Sequence, residues 1–180
     1  MELPKFKYHP DPIQTGSVIS SSETCTNCGK RRGFVYIGPI YGTEDTEEPI
    51  CPWCIADGSA YDQFGFEFTD GEMVGGGGLW EEVPVAVVEE VAYRTPGFTG
   101  WQQELWFTHC GDAAAFLGPV GYKELMQLGS EAVASFFEAT GLTDKVWDIH
   151  FPALEKDGSP TGYLFQCLHC GKYGGYTDTD

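Results

Sequence analysis

The sequence predicts an α+β fold, a small treble-clef-like zinc knuckle module followed by an α+β remainder closed by a C-terminal zinc knuckle. Three observations lead there. Six of the seven cysteines arrive as C-x2-C pairs, at Cys25/Cys28, Cys51/Cys54 and Cys167/Cys170, with Cys110 alone between them. Short alternating apolar stretches are mixed with helix-period ones, and no internal repeat is visible beyond the cysteine pairs. The 180 residues, 42% hydrophobic and 14% aromatic, suffice for a packed core. The organisation read from these features is an N-terminal arm and zinc module over residues 1–70, a glycine-rich loop over 71–83, and an α+β part with a second zinc site over 84–180, together one compact unit.

Each element has its own signal. Phe6 to Pro12 is proline-rich and extended, an arm laid over the domain, with His9 expected at the surface rather than on a metal. Gly33–Gly42 reads as a short β-hairpin followed by the acidic loop Thr43–Glu48. Pro52 suits a first helical turn, which places Cys51 and Cys54 at a helix start. Glu72–Gly78 reads as a mobile loop; it is no phosphate cradle, because no Gly-Lys-Ser/Thr follows and Glu81 and Glu82 would repel phosphate. Pro84–Arg94 is an amphipathic helix with Val85, Val88, Val91 and Ala92 on one stripe, ended by Thr95-Pro96. Gln102–Thr108 alternates like a strand, and Asp112–Leu117 reads as a short helix. Tyr122–Leu128 and Glu131–Thr140 are two more helices, the second capped by Ser130, ended by Gly141, and turning Val133, Phe136 and Phe137 inward. Val146–Phe151 and Tyr163–Gln166 alternate like strands joined by the turn at Lys156–Gly158.

The cysteine spacing carries the chemistry. No export signal opens the chain and no apolar run would span a bilayer, so a cytoplasmic, reducing environment is expected, where paired cysteines hold metal more often than they form disulfides. Cys25, Cys28, Cys51 and Cys54 complete the tetrahedron that Zn²⁺ prefers. Cys167 and Cys170 need a partner from elsewhere, and Cys110 is the thiol left. A second zinc would then take Cys110, Cys167, Cys170 and one further donor, for which His109 leads, with His169 and Asp112 behind it. The alternatives are a Cys167–Cys170 redox pair, or an empty knuckle with Cys110 packed in the core.

Charge bounds the partners. Ten Lys+Arg against 27 Asp+Glu give a net charge of −17, which argues against a nucleic-acid backbone and favours a basic protein. Between Arg32 and Arg94 there is no Lys or Arg and there are thirteen carboxylates, among them Glu44, Asp45, Glu47 and Glu48, the expected partner-binding residues. Catalysis is not expected. Cys110, His109 and Asp112 are nucleophile, base and orienter by type, but side chains so close in sequence diverge. No metalloprotease or deaminase general-base motif accompanies the cysteines. A zinc hydrolase acting through the Cys110 site is the enzymatic alternative.

A set of motifs spans the chain: Phe6-Lys-Tyr-His-Pro-Asp-Pro12 with Thr15-Gly16, Cys25-x2-Cys28-Gly29, Cys51-Pro-Trp-Cys-Ile-Ala-Asp-Gly-Ser-Ala60, Arg94-Thr-Pro-Gly97, Gly100-Trp-Gln-Gln-Glu104, His109-Cys-Gly-Asp112 and Tyr163-Leu-Phe-Gln-Cys-Leu-His-Cys-Gly171. Together they resemble the CbrC family of bacterial colicin-tolerance proteins. The resemblance implies a small cytoplasmic protein tied to tolerance of nuclease-type bacteriocins, with relatives that are candidate immunity proteins, and it brings no catalytic residue with it. Members can carry a second cysteine near the position of Cys110; this chain has none there. The function expected is a non-catalytic acidic zinc protein that binds a basic toxin, with a zinc-finger adaptor for another basic protein as a further alternative.

Overall fold

The computed structural model describes residues 2–42 and 48–180. The fold is mixed α+β, built from small sheets and short helices. Strands β1 (Val18–Ser20) and β2 (Phe34–Tyr36) pair antiparallel, with Val18 opposite Tyr36. This corrects the hairpin expected within Gly33–Gly42. The first cysteine pair reverses the chain between β1 and β2, so β2 meets β1, and Tyr41 bridges to Glu67 instead. The acidic loop expected next falls, at positions 43–47, outside the described residues.

Helices α1 (Pro52–Ala56) and α2 (Ser59–Phe64) follow, with Cys51 at the N-cap of α1 and Pro52 in its first turn, where a missing N–H costs nothing. The glycine-rich segment holds two 3₁₀ turns, Gly71–Met73 and Gly76–Gly78. Helix α3 (Val85–Arg94) buries Val91 and Ala92, whereas Val85 is 71% exposed, so its apolar stripe covers only the later turns.

Three expected elements fail beyond this point. Within Gln102–Thr108 the alternation is lost, because Glu104, Trp106 and Phe107 are all buried. Glu104 accepts hydrogen bonds from the Tyr41 hydroxyl and from Gly100 N–H, and Trp106 Nε1 donates to the Ala114 carbonyl. Trp106 makes an isolated parallel bridge to Val74, and the strand there is the short β3 (Thr108–His109), paired with β4 (Asp112–Ala113). The helix expected over Asp112–Leu117 is instead β4 and the start of β5 (Ala115–Val120). Ala113–Ala115 favour a helix by propensity, but all three are buried, two of them in one aromatic cluster with Trp106, Phe107 and Phe116, and tertiary packing overrides propensity.

Helices α4 (Tyr122–Leu128) and α5 (Ser130–Thr140) match expectation, with Phe136 fully buried and Val133 and Phe137 packed beside it; Gly129, not Ser130, caps α5. Val146–Phe151 is not a strand. It is helix α6 (Asp144–His150) running into a 3₁₀ turn, and Trp147 stacks on Phe151, four residues on, at 4.6 Å between ring centroids. Strand β6 (Thr161–Gln166) lies between β5 and β7 (Tyr173–Asp178) in an antiparallel sheet. Strand β7 has no sequence signal because Gly174-Gly175 interrupt it. Both glycines are needed: Gly174 lies against the Phe107 ring, and a Cβ on Gly175 (φ 150°) would overlap the Tyr163 carbonyl.

The core divides into three clusters. One lies under the first four cysteines (Val18, Tyr36, Ile50, Ile55, Phe68), one is aromatic (Phe98, Trp106, Phe116, Phe165), and one lies between helices and sheet (Leu125, Phe136, Trp147, Leu164). The N-terminal arm joins two of them, Phe6 entering the first and Tyr8 the second. His9, expected at the surface, is fully buried. Its Nδ1–H donates to the Pro96 carbonyl at 2.6 Å, and Nε2 accepts from Thr15 Oγ1 at 2.6 Å. Burial pushes its pKa down to about 4, so the ring is neutral at pH 7.

Candidate metal centres

Among the described residues two groups of four donors come together, Cys25/Cys28/Cys51/Cys54 and His109/Cys110/Cys167/Cys170, each with its ligand atoms within 4.8 Å of one another. Both are built on the same local structure. In Cys25-Thr-Asn-Cys28-Gly29-Lys30 the Cys25 N–H donates to the Lys30 carbonyl and Gly29 N–H to the Cys25 carbonyl. In Cys167-Leu-His-Cys170-Gly171-Lys172 the Cys167 N–H donates to the Lys172 carbonyl and Gly171 N–H to the Cys167 carbonyl. Gly29 (φ 67°) and Gly171 (φ 75°) supply the left-handed residue that closes each turn. Each knuckle turns an antiparallel pair, β1–β2 and β6–β7 respectively.

The first group fits zinc closely. Zn–S bonds of about 2.3 Å in a tetrahedron place sulfurs about 3.8 Å apart. The Sγ separations are 3.8 Å for Cys25–Cys54, 3.9 Å for Cys28–Cys51 and 3.5 Å for Cys51–Cys54. Cys25, Cys51 and Cys54 are buried, and Cys28 is half-buried. Burial pushes the Cys51 thiol up, and the neighbouring Cys54 and Cys25 add to the shift. Burial also opposes ionisation of Cys25, but backbone groups of Cys28, Cys51 and Asn27 outweigh it and hold that thiol down. The Cys51 N–H points at Cys25 Sγ, 3.2 Å away, as expected around a metal thiolate. Asn27 Nδ2 donates to Ser59 Oγ and so ties the knuckle to α2.

The second group completes its knuckle with a hairpin tip. His109 and Asp112 pair across the two-residue loop Cys110-Gly111, and both loop residues have positive φ, 58° and 71°, the signature of a type I′ turn. That turn lets adjacent side chains reach one centre. His109 Nδ1 lies 3.2 Å from Cys110 Sγ and 3.5 Å from Cys170 Sγ, against about 3.6 Å for nitrogen and sulfur on a tetrahedral zinc. Glu81 clamps the turn, its carboxylate accepting from Cys110 N–H at 3.0 Å and Gly111 N–H at 2.8 Å, and these bonds hold its pKa down. Sequence reasoning missed Glu81, since nothing local links it to residues 29 and 30 positions away.

The other donors considered for this site are engaged elsewhere. Asp112 is buried and accepts from Tyr8 Oη at 2.6 Å, Lys7 Nζ at 2.9 Å and His169 Nε2 at 2.9 Å. Burial opposes its ionisation, but these bonds outweigh it and hold its pKa at about 2. Cys110 and Cys170 are exposed, while Cys167 is buried.

Of the expected partner residues, Glu44, Asp45 and Glu47 lie outside the described residues; Glu48 accepts a hydrogen bond from Thr26 Oγ1 at 2.6 Å. Among the described residues no helix is long and apolar enough to cross a membrane.

Comparison with known sequences places the chain. The model of an uncharacterised protein family, UPF0167, matches residues 3–179. The chain belongs to the UPF0167 family. It is 47% identical over 183 residues to UPF0167 protein Mb2317 of Mycobacterium bovis, covering 98% of this chain and 94% of that protein. It is 43% identical over 171 residues to UPF0167 protein PA1536 of Pseudomonas aeruginosa, covering 94% and 93%. No solved structure matches it.

Proposed function

We propose that this UPF0167 member is a non-catalytic, zinc-stabilised protein of the CbrC type that binds a basic protein through its acidic half and neutralises a nuclease-type toxin. The observation that carries the non-catalytic part is the donor count. Each cluster offers four protein ligands, whereas a catalytic zinc keeps one position for water. Cys25, Cys28, Cys51, Cys54 and His109, Cys110, Cys167, Cys170 would hold the two ions, whose contribution would be to lock one knuckle to a helix start and the other to a hairpin tip. The net charge of −17 and the thirteen carboxylates between Arg32 and Arg94 support a basic partner, and the resemblance supplies its class. A zinc-finger adaptor for another basic protein would share this surface and differ in the partner's identity.

The test reverses charge at Glu44, Asp45, Glu47 and Glu48 and, separately, at Glu155 and Asp157. Cells challenged with a nuclease-type toxin should lose protection with the first set and keep most of it with the second, at unchanged zinc content. Equal loss with both sets would reduce the effect to overall acidity, and no loss with either would remove the acidic face from the function. Metal analysis showing one zinc with an exchangeable water ligand would favour the hydrolase.

A further inference from the structure

We propose that the second metal centre is a peroxide-responsive site, in which Cys170 and Cys110 join as a disulfide and the zinc is given up while the first centre keeps its own. The inference goes beyond toxin binding and rests only on the reading that both centres hold zinc.

The two centres differ in what can reach their sulfurs. Cys25, Cys51 and Cys54 are buried and Cys28 is half-buried, packed with the apolar cluster of Val18, Ile50 and Phe68. Cys110 and Cys170 are exposed. Cys170 also lines a cavity of about 300 Å³ between α5 and the knuckle, with Glu131, Ser135 and Tyr173 on its walls. A water occupies about 30 Å³ of liquid, so hydrogen peroxide, little larger, enters that space without displacing any side chain. Oxidation of cysteine follows thiolate character and exposure. Metal ligation requires the thiolate at both centres, so exposure is what sets them apart.

The geometry also selects the partner thiol. The donor atoms of the second centre lie within 4.8 Å of one another, which brings Cys110 Sγ within reach of Cys170 Sγ. Cys167 is buried, and its sulfur lies between the His169 N–H at 3.4 Å and the His109 carbonyl at 3.7 Å. Cys110 stands on the hairpin tip, open to solvent, where it is free to turn toward Cys170.

One peroxide balances the reaction. The Cys170 thiolate attacks a peroxide oxygen, the O–O bond breaks, and hydroxide leaves a sulfenic acid behind. The Cys110 thiolate then attacks the Cys170 sulfur, the S–O bond breaks, and a second hydroxide leaves. Two thiolates lose two electrons, the peroxide gains them, and two protons from solvent turn the hydroxides into water. His109 and Cys167 alone remain as donors, too few for a four-coordinate structural site.

The test treats the zinc-loaded full chain with a molar excess of hydrogen peroxide and follows zinc release with a chromogenic chelator. Alkylation and non-reducing peptide mass spectrometry then map the thiols. One of the two ions should be released about tenfold or more faster than the other. The linked peptides should join Cys110 to Cys170, with Cys25, Cys28, Cys51 and Cys54 recovered reduced, and dithiothreitol should restore uptake of the lost ion. Cys170→Ser, which keeps only the first zinc, should release it at the slow rate. A starting content of one zinc in the wild type overturns the inference together with the zinc reading of the second centre. Two zinc ions at the start, followed by equal release or by none, overturn the peroxide response and leave the metal reading standing. A Cys167–Cys170 link overturns the assignment of Cys110.

Discussion

At Cys25–Lys30 and at Cys167–Lys172 the chain makes the same turn, with the same two backbone hydrogen bonds and a left-handed glycine after the second thiol. What meets the turn differs. The first knuckle faces a helix start, with three of its four thiols buried over an apolar cluster. The second faces a two-residue hairpin tip that offers one imidazole and one thiol, with Cys110 and Cys170 open to solvent. A C-x2-C-G-K turn therefore sets donor geometry by itself, while the complementary half sets how firmly a metal is held and how readily solvent reaches it.

The largest test of this contrast is thiol removal. Cys54→Ser should lose one zinc and lower Tm by more than about 10 °C, because structural zinc binding is folding free energy; Cys170→Ser should lose the other zinc at half that cost or less. Equal losses, followed by calorimetry and metal analysis, would break the contrast.

Acid sharpens it next, through the arm whose Lys7 and Tyr8 hold Asp112 behind the second centre. His9 has a folded pKa of about 4, against about 6.5 when unfolded, so the unfolded state takes up its proton first. The stability from this neutral histidine is complete above pH 6.5, declines as pH falls, and is gone near pH 4, a change of roughly 3 kcal/mol. His9→Gln should flatten the dependence of Tm on pH across that window, and an unchanged slope would contradict the buried neutral ring.

The smallest effect separates ligand from support at the second centre. His109→Ala should weaken that zinc by about a hundredfold, and His169→Ala, which only releases Asp112, by about tenfold or less. Competition with a chromogenic chelator reads both. A larger His169 effect would reassign the fourth ligand.

The sequence disclosed these centres better than the strands around them. Cysteine spacing points to six of the eight candidate donors, Cys110 is the thiol left over, and the eighth, His109, leads because it adjoins Cys110. The strands were hidden for particular reasons. Ala113–Ala115 look helical until Trp106 is seen to need small neighbours, and Gly174-Gly175 look like a break until the Phe107 ring and Tyr163 carbonyl are found against them. Helix α6 is hidden because Val146–Phe151 alternates, although Trp147 and Phe151 also fit the four-residue spacing that brings them together. Local chemistry at fixed spacing survives translation into structure, whereas a reading that depends on what packs above a residue needs the tertiary partner.

The two centres also differ in how far apart their donors lie along the chain, which bears on the order of assembly. Cys25 and Cys54 are 29 residues apart, so all four donors of the first centre are available early as the chain leaves the ribosome. His109 and Cys170 are 61 residues apart, and Cys170 leaves the ribosome well after Cys54, so the second centre waits for β6 and β7 to pair. Contacts over longer loops close later and more slowly. The chain order thereby sets the order in which the donors meet: a metal at the first centre would organise the earlier module, and one at the second would act as a clasp on a finished sheet.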